Sequence, residues 1–111
     1  MLLINVSNHP SSKWSKEKLT WFNDRKIIDI PSPNIDPAEC KASVVETALL
    51  FVQQIISLVI ESGDENFYKH VVLVQGEITF TFALVRLLKK HNFYCVAEIT
   101  EDGKFKRFRE Y

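Results

Sequence analysis

The stretch Val71-Val72-Leu73-Val74-Gln75-Gly76-Glu77 decides the fold. Its first four residues are β-branched or leucine without alternation, the pattern of a central parallel strand covered on both faces. Gln75-Gly76-Glu77 ends that run, and the residues beyond it admit two readings. Ile78-Thr79-Phe80-Thr81-Phe82 alternates with period 2, which fits a hairpin turning at Gly76. A helix is the preferred reading. Ile78, Phe82 and Val85 share one helical face, Phe80, Leu84, Leu87 and Leu88 lie beside it, and Lys89, Lys90 and His91 fall in the last turn, where cations suit the dipole.

Working outward toward the N-terminus, residues 2–6 form a second buried strand, followed by the turn formers Ser7-Asn8-His9-Pro10-Ser11-Ser12. Pro10 forbids a continuing strand ladder, and Ser11 or Ser12 can cap a short helix suggested by Trp14, Leu19, Trp21 and Phe22, ending near Asn23. Residues 26–30 carry Ile27, Ile28 and Ile30 as a further strand, broken by Pro31-Ser32-Pro33-Asn34. Asp36 as N-cap, Pro37 at the first helical position and Glu39 completing a capping box then predict a helix over residues 36–62, closed by Gly63. On that helix Val45, Ala48, Leu49, Val52, Ile56 and Val59 make one stripe, and Val44, Phe51, Ile55 and Leu58 widen it beyond a single face. One side is expected on the sheet and the other against a neighbouring helix or a second subunit, so a homodimer through helix 36–62 is predicted.

Toward the C-terminus, Asn92 suits a left-handed helix stop, residues 93–99 give a fourth strand, and Asp102-Gly103 signals a tight turn. Residues 104–111 should return antiparallel as a charged edge strand. Right-handed crossovers then favour one α/β domain over residues 1–111. The expected architecture is a Rossmann-like three-layer sandwich, with a mainly parallel sheet in strand order 2-1-3-4-5 and an antiparallel C-terminal edge strand.

The bulk numbers narrow the function classes. A chain of 111 residues with 46% hydrophobic residues fills one core, and 14 Lys plus Arg against 14 Asp plus Glu leave no net charge to attract duplex nucleic acid. A small anion held by local backbone amides remains compatible with that balance. Cys40 and Cys95 sit among apolar neighbours without metal-ligand spacing, which predicts reduced, buried thiols and no metal site. The start of the chain lacks the basic flank and length of a signal core, and residues 43–59 are interrupted by Glu46, Gln53 and Gln54. A cytoplasmic protein without a membrane span is expected.

In such a sheet the chain leaves the first and third strands toward opposite faces, which opens a crevice at their carboxyl ends. Ser7, Asn8 and His9 should face Gln75, Gly76, Glu77 and Thr79 across it, with free amides at Gly76 and Glu77 presented to an anion. Gly76 would let ligand atoms approach the backbone or take positive φ cheaply, though an ordinary strand-to-helix turn explains it equally well. His9 can exchange protons or donate to phosphate, or cap nearby backbone. Glu77 can orient a ribose hydroxyl, or simply favour the helix dipole. Ser11, Ser12 and Lys13 fit phosphate binding, against a plain reading as caps and a solvated lysine. His70 and His91 read as structural, and the basic tail of Lys104, Lys106, Arg107 and Arg109 reads equally as edge-strand protection. Neither loop matches a dinucleotide or phosphate-loop glycine pattern, and no Ser-His-Asp order or paired-histidine motif is present, so no cofactor is expected.

The segments Leu2-Leu3-Ile4-Asn5-Val6-Ser7-Asn8-His9-Pro10, Val71-Val72-Leu73-Val74-Gln75-Gly76-Glu77 with Thr79, and Arg107-Phe108-Arg109-Glu110-Tyr111 resemble small stand-alone CRISPR-associated proteins with a Rossmann-like (CARF-like) fold, related to type III ring nucleases. The resemblance implies binding of cyclic oligoadenylate on a dimer's two-fold axis, and in ring nucleases metal-independent cleavage by a ribose 2′-hydroxyl. It would give catalytic roles to His9, Ser11 or Lys13, and binding roles to Gln75 and Thr79. One departure is the short stretch between Ala97 and Phe105, where such proteins would carry a further basic residue after the fourth strand. That departure bears on catalysis more than on binding. The rival expectations are a non-catalytic homodimeric interaction module and an enzyme acting on another small nucleotide.

Overall fold

The computed structural model describes residues 1–23 and 25–111. Five strands, β1 (Leu2–Val6), β2 (Lys26–Ile30), β3 (Val71–Val74), β4 (Tyr94–Glu101) and β5 (Lys104–Glu110), form one sheet in the order β2-β1-β3-β4-β5. The first four run parallel, and β5 returns antiparallel along β4 with a register irregularity between Ile99 and Thr100. Helices α1 (Lys16–Thr20), α2 (Lys41–Glu61) and α3 (Ile78–Lys90) cover the two faces. The fold is therefore the Rossmann-like α/β sandwich that the patterning predicts.

Strand parity sorts the core. Leu2, Ile4, Val6, Val72 and Val74 point to the face covered by α2 and α3, where they meet Val44, Ala48, Val52, Ile55 and Val59 from α2 and Phe80, Leu84, Val85 and Leu88 from α3. Leu3, Val71, Leu73 and Val96 point to the opposite face, covered by Trp14, Phe22, Phe105 and Phe108. The run of β3, buried at all four positions, is thus explained by cover on both sides.

Several local expectations need correction. The long helix begins at Lys41 with Cys40 as its N-cap, not at Asp36. The capping-box bonds do form: Asp36 N–H donates to Glu39 Oε2 at 2.9 Å and Ala38 N–H to Asp36 Oδ1 at 2.8 Å. They close a single turn, after which Cys40 returns to extended backbone, so a complete set of helix-start contacts caps a prelude rather than the helix. The α2 core stripe is Val44, Ala48, Val52, Ile55 and Val59, which leaves Leu49 and Leu50 exposed. At the first helix, Ser11–Lys13 is a 3-10 turn and Ser15 caps, its Oγ accepting from Lys18 N–H. That helix ends at Thr20, short of Asn23. The remaining stop signals behave as read: Gly63, Asn92, Asp102 and Gly103 all take positive φ.

By length and composition alone α2 could cross a membrane, the one such helix among the described residues. Its five-residue stripe is packed into the core beneath it, while Leu49, Leu50 and Ile60 remain exposed. His70 is fully buried at the amino edge of the sheet, accepting from Leu2 N–H through Nδ1 and meeting the Asp64 carbonyl through Nε2. Its role is structural, as its position at a strand start suggests.

Candidate functional site

The carboxyl ends of β1 and β3 lie side by side, with Val6 paired to Val74 and Gln75 N–H donating to the Val6 carbonyl at 2.9 Å. The loops containing Asn8 and Gly76 therefore occupy the same edge of the sheet. A buried polar network fixes the first of them. Asn5 sits fully buried within an apolar strand, donating through Nδ2 to the His9 carbonyl at 2.9 Å and to Asp29 Oδ1 at 2.8 Å, while its Oδ1 accepts from Ser7 Oγ at 2.6 Å. Ser11 adds bonds from its N–H and Oγ to Asp29, and Trp14 Nε1 donates to the His9 carbonyl. Desolvation pulls the Asp29 carboxyl upward, but the bonds from Asn5 and Ser11 outweigh it and hold the group below its ordinary value.

The second loop is held as firmly. Ser32 Oγ donates to the Gln75 carbonyl at 2.6 Å, and a Cβ built on Gly76 would meet that Oγ at 3.0 Å. Glycine thus eases the close approach of Ser32, and it does not serve positive φ, which Gly76 does not adopt. Glu77 caps α3 with its own carboxylate, accepting from Thr79 Oγ1 at 2.6 Å and from Phe80 N–H at 2.8 Å, and these bonds lower its pKa. At this helix start the Glu77 carboxylate takes up the Phe80 amide, and an external phosphate approaching the neighbouring amides would face like charge. Gln75 Oε1 accepts from Glu98 N–H at 3.1 Å, which ties the β3 loop to β4.

A concavity of about 650 Å³ opens on the α1 side of the sheet beside the β1 loop. His9 and Lys13 line it, together with Lys16, Lys18, Glu98, Thr100 and Lys104, and Trp14 and Phe105 supply aromatic wall. Lys18 is only 4% exposed, paired with Glu98 at 3.0 Å and lying 4.1 Å from the Trp14 ring centroid. A desolvated ammonium is tolerable there because carboxylate and ring share its charge. The tight β4–β5 turn carries Lys104 into the same concavity. Four lysines outnumber the two carboxylates that share the lining, Glu17 and Glu98, so the hollow carries a positive local balance although the chain as a whole is neutral.

The residues singled out in the sequence therefore divide. His9 and Lys13 reach the concavity, and Gln75 touches its wall through Glu98. Ser7 and Ser11 are engaged in the internal network, Asn8 is exposed on the loop, and Glu77 caps α3. Thr79 lines a different hollow, between α2 and α3 on the other face. Lys16, Lys18 and Glu98 went unrecognised, since no spacing rule links a five-residue helix to a hairpin eighty residues away. The one available signal was the basic tail around Lys104. Among the described residues no group of His, Cys, Asp and Glu could hold a metal ion. Of the two cysteines expected to be buried, Cys40 is instead exposed as the N-cap of α2, while burial pushes the Cys95 thiol up to about 12, leaving it inert.

No curated protein and no solved structure matches the chain. The sequence model of the family described as "Uncharacterized protein MJ1673 family" matches residues 1–103, which takes in every site residue named above except Lys104 and Phe105. With nearly its whole length covered, this chain belongs to the MJ1673 family.

Proposed function

We propose that the chain is a homodimeric, cytoplasmic binder of cyclic oligoadenylate in CRISPR type III antiviral defence, with metal-independent cleavage of the ring as a second step. The observation that carries this reading is the cation-lined concavity beside the β1 loop, where His9, Lys13, Lys16 and Lys104 surround an aromatic wall. Phosphates suit the lysines, and a base suits the faces of Trp14 and Phe105. A hollow of this size falls in the range of small-ligand sites, and the neutral net charge disfavours duplex nucleic acid instead. The sequence resemblance supplies the ligand class. Apolar Leu49, Leu50 and Ile60, exposed on α2, support a second copy docking there, on the side of the sheet away from the hollow.

Cleavage would proceed by attack of a ribose 2′-oxygen on the neighbouring phosphorus. The bond from phosphorus to the 5′-oxygen breaks, leaving a 2′,3′-cyclic phosphate and a 5′-hydroxyl. His9 would take the 2′-hydroxyl proton and Lys13 would face the developing phosphorane charge, while the leaving oxygen takes a proton from water. Ser11, bound to Asp29, would hold the loop that carries both.

Calorimetry with cyclic tetra- and hexa-adenylate in chelator tests the reading. Binding should occur, Lys13→Glu and Lys104→Glu should each weaken it about tenfold, and His9→Ala should bind without yielding linear product. Undiminished affinity in both charge reversals would remove the ligand from this concavity, and no binding of either ring by the native chain would end the proposal. A second reading, a non-catalytic interaction module that self-associates through the long helix, is favoured by the exposure of Leu49, Leu50 and Ile60 on α2. It predicts no thermal shift with any nucleotide together with tight self-association.

A further inference from the structure

On the face opposite the cationic hollow, Ile78 and Phe82 stand 80% and 68% exposed, one helical turn apart on α3. Solvent exposure of two large apolar side chains on one face is costly unless something covers them. Phe82 separates two shallow hollows. One, about 510 Å³, is shared with Val45 of α2 and Ala83, and the other, about 400 Å³, with Val85 and Tyr111. The charges around them are almost all of one sign. Lys41, Arg86, Lys89 and Lys90 rim the patch, with Glu39 as the acidic member among the lining residues. Lys89 is held by the Tyr111 carbonyl at 2.8 Å, but among the described residues Lys41, Arg86 and Lys90 take part in no ion pair.

From this we infer that the Ile78–Phe82 face of α3 is a docking surface for an acidic amphipathic helix of another protein, whose apolar side chains fill the hollows on either side of Phe82. The sign of the rim selects that occupant. A second copy placed on this face by a two-fold axis would bring lysine and arginine rims against each other, whereas a helix flanked by glutamate or aspartate would pair with all three free cations. Apolar anchors spaced one turn apart are the standard means by which such a helix engages two adjacent hollows. The surface lies on the opposite side of the sheet from Lys13 and Lys104, so it is independent of the nucleotide reading.

Fluorescence anisotropy on the full chain tests it, with two labelled helical peptides of identical leucine and phenylalanine spacing, one flanked by glutamates and the other by lysines. The glutamate peptide should bind and weaken at least about fivefold between low and high salt, and Phe82→Glu should reduce it by about tenfold or more. The double reversal Arg86→Glu with Lys90→Glu should switch preference to the lysine peptide. All three substituted positions are exposed, so folding is checked by an unchanged circular dichroism spectrum. Equal binding of both peptides, or of neither, overturns the inference. So does a native dimer that Phe82→Glu converts to monomer in light scattering, which would assign the face to a second copy.

Discussion

The two faces of the sheet are covered in different ways. On one, α2 and α3 lay 21 and 13 residues of helix over the strands, and the core between them is aliphatic apart from Phe80, Phe51 and a few other rings. On the other, a five-residue helix and a 3-10 turn do the same task, and aromatic side chains span the distance that helices cover elsewhere. Phe108 stacks on Phe22 at 5.5 Å and meets Trp14, Trp21 and Phe105 at between 5.0 and 6.2 Å. Sparse cover leaves a hollow, and a buried ion pair at its floor. The contrast teaches that the thickly covered face supplies rigidity while the thin one supplies the space in which a ligand can be held.

The contrast can be broken first at the thick face. Phe80 is wholly buried and edge-on to Phe51 at 5.0 Å, so Phe80→Ala should lower unfolding free energy by about 4 kcal/mol in urea titration, through a cavity that packed helices cannot collapse. A loss below about 1 kcal/mol would mean that this face is as loosely packed as the other.

On the thin face the corresponding cost is electrostatic. Lys18→Met should cost about 3 kcal/mol because it strands Glu98, whose side chain is only 15% exposed. Adding Glu98→Gln should recover much of that loss, whereas additive losses in the double variant would show that the two groups act separately.

Residues that line the hollow without packing should behave oppositely. Lys13→Glu and Lys104→Glu are exposed substitutions and should change stability by no more than about 0.5 kcal/mol, while the same variants lose ligand. A large stability change in either would place it among the structural residues.

The smallest effect concerns pH. Asp29 anchors the β1 loop, and its carboxyl lies below its ordinary 3.8 in the folded state. A depressed folded pKa means that its contribution is fully present at neutral pH and is lost as pH falls through the folded value, after starting to decline near 3.8. The stability gap between the native chain and Asp29→Asn should therefore hold constant from pH 7 to about 5 and close in stronger acid. A gap that widens on acidification would contradict the hydrogen-bonding assignment.

The same physical division governs what could be read in advance. Strand identity, order and the left-handed stops at Gly63, Asn92 and Gly103 were legible because each depends on a local run or one residue's φ. The long helix was misplaced at its start because Asp36, Ala38 and Glu39 satisfy a capping box within one turn, and nothing local reveals that the chain straightens again at Cys40. Gly76 was correctly marked as special but for a different neighbour, since Ser32 lies forty-four positions away. Of the site, His9 and Lys13 were visible as polar residues after a buried strand, whereas Lys18 looked like any helical lysine until Trp14 and Glu98 enclosed it.

By itself, the sequence determined the parallel sheet and the edge at which its loops gather, because burial on both faces writes an uninterrupted apolar run and crossover handedness leaves few arrangements. Only the tertiary structure decided which polar side chains remain available to a ligand. A hydroxyl or carboxylate is free or engaged according to partners brought near by folding, as Asn5 and Asp29 engage the β1 loop while the β4–β5 turn delivers Lys104 to the hollow beside it.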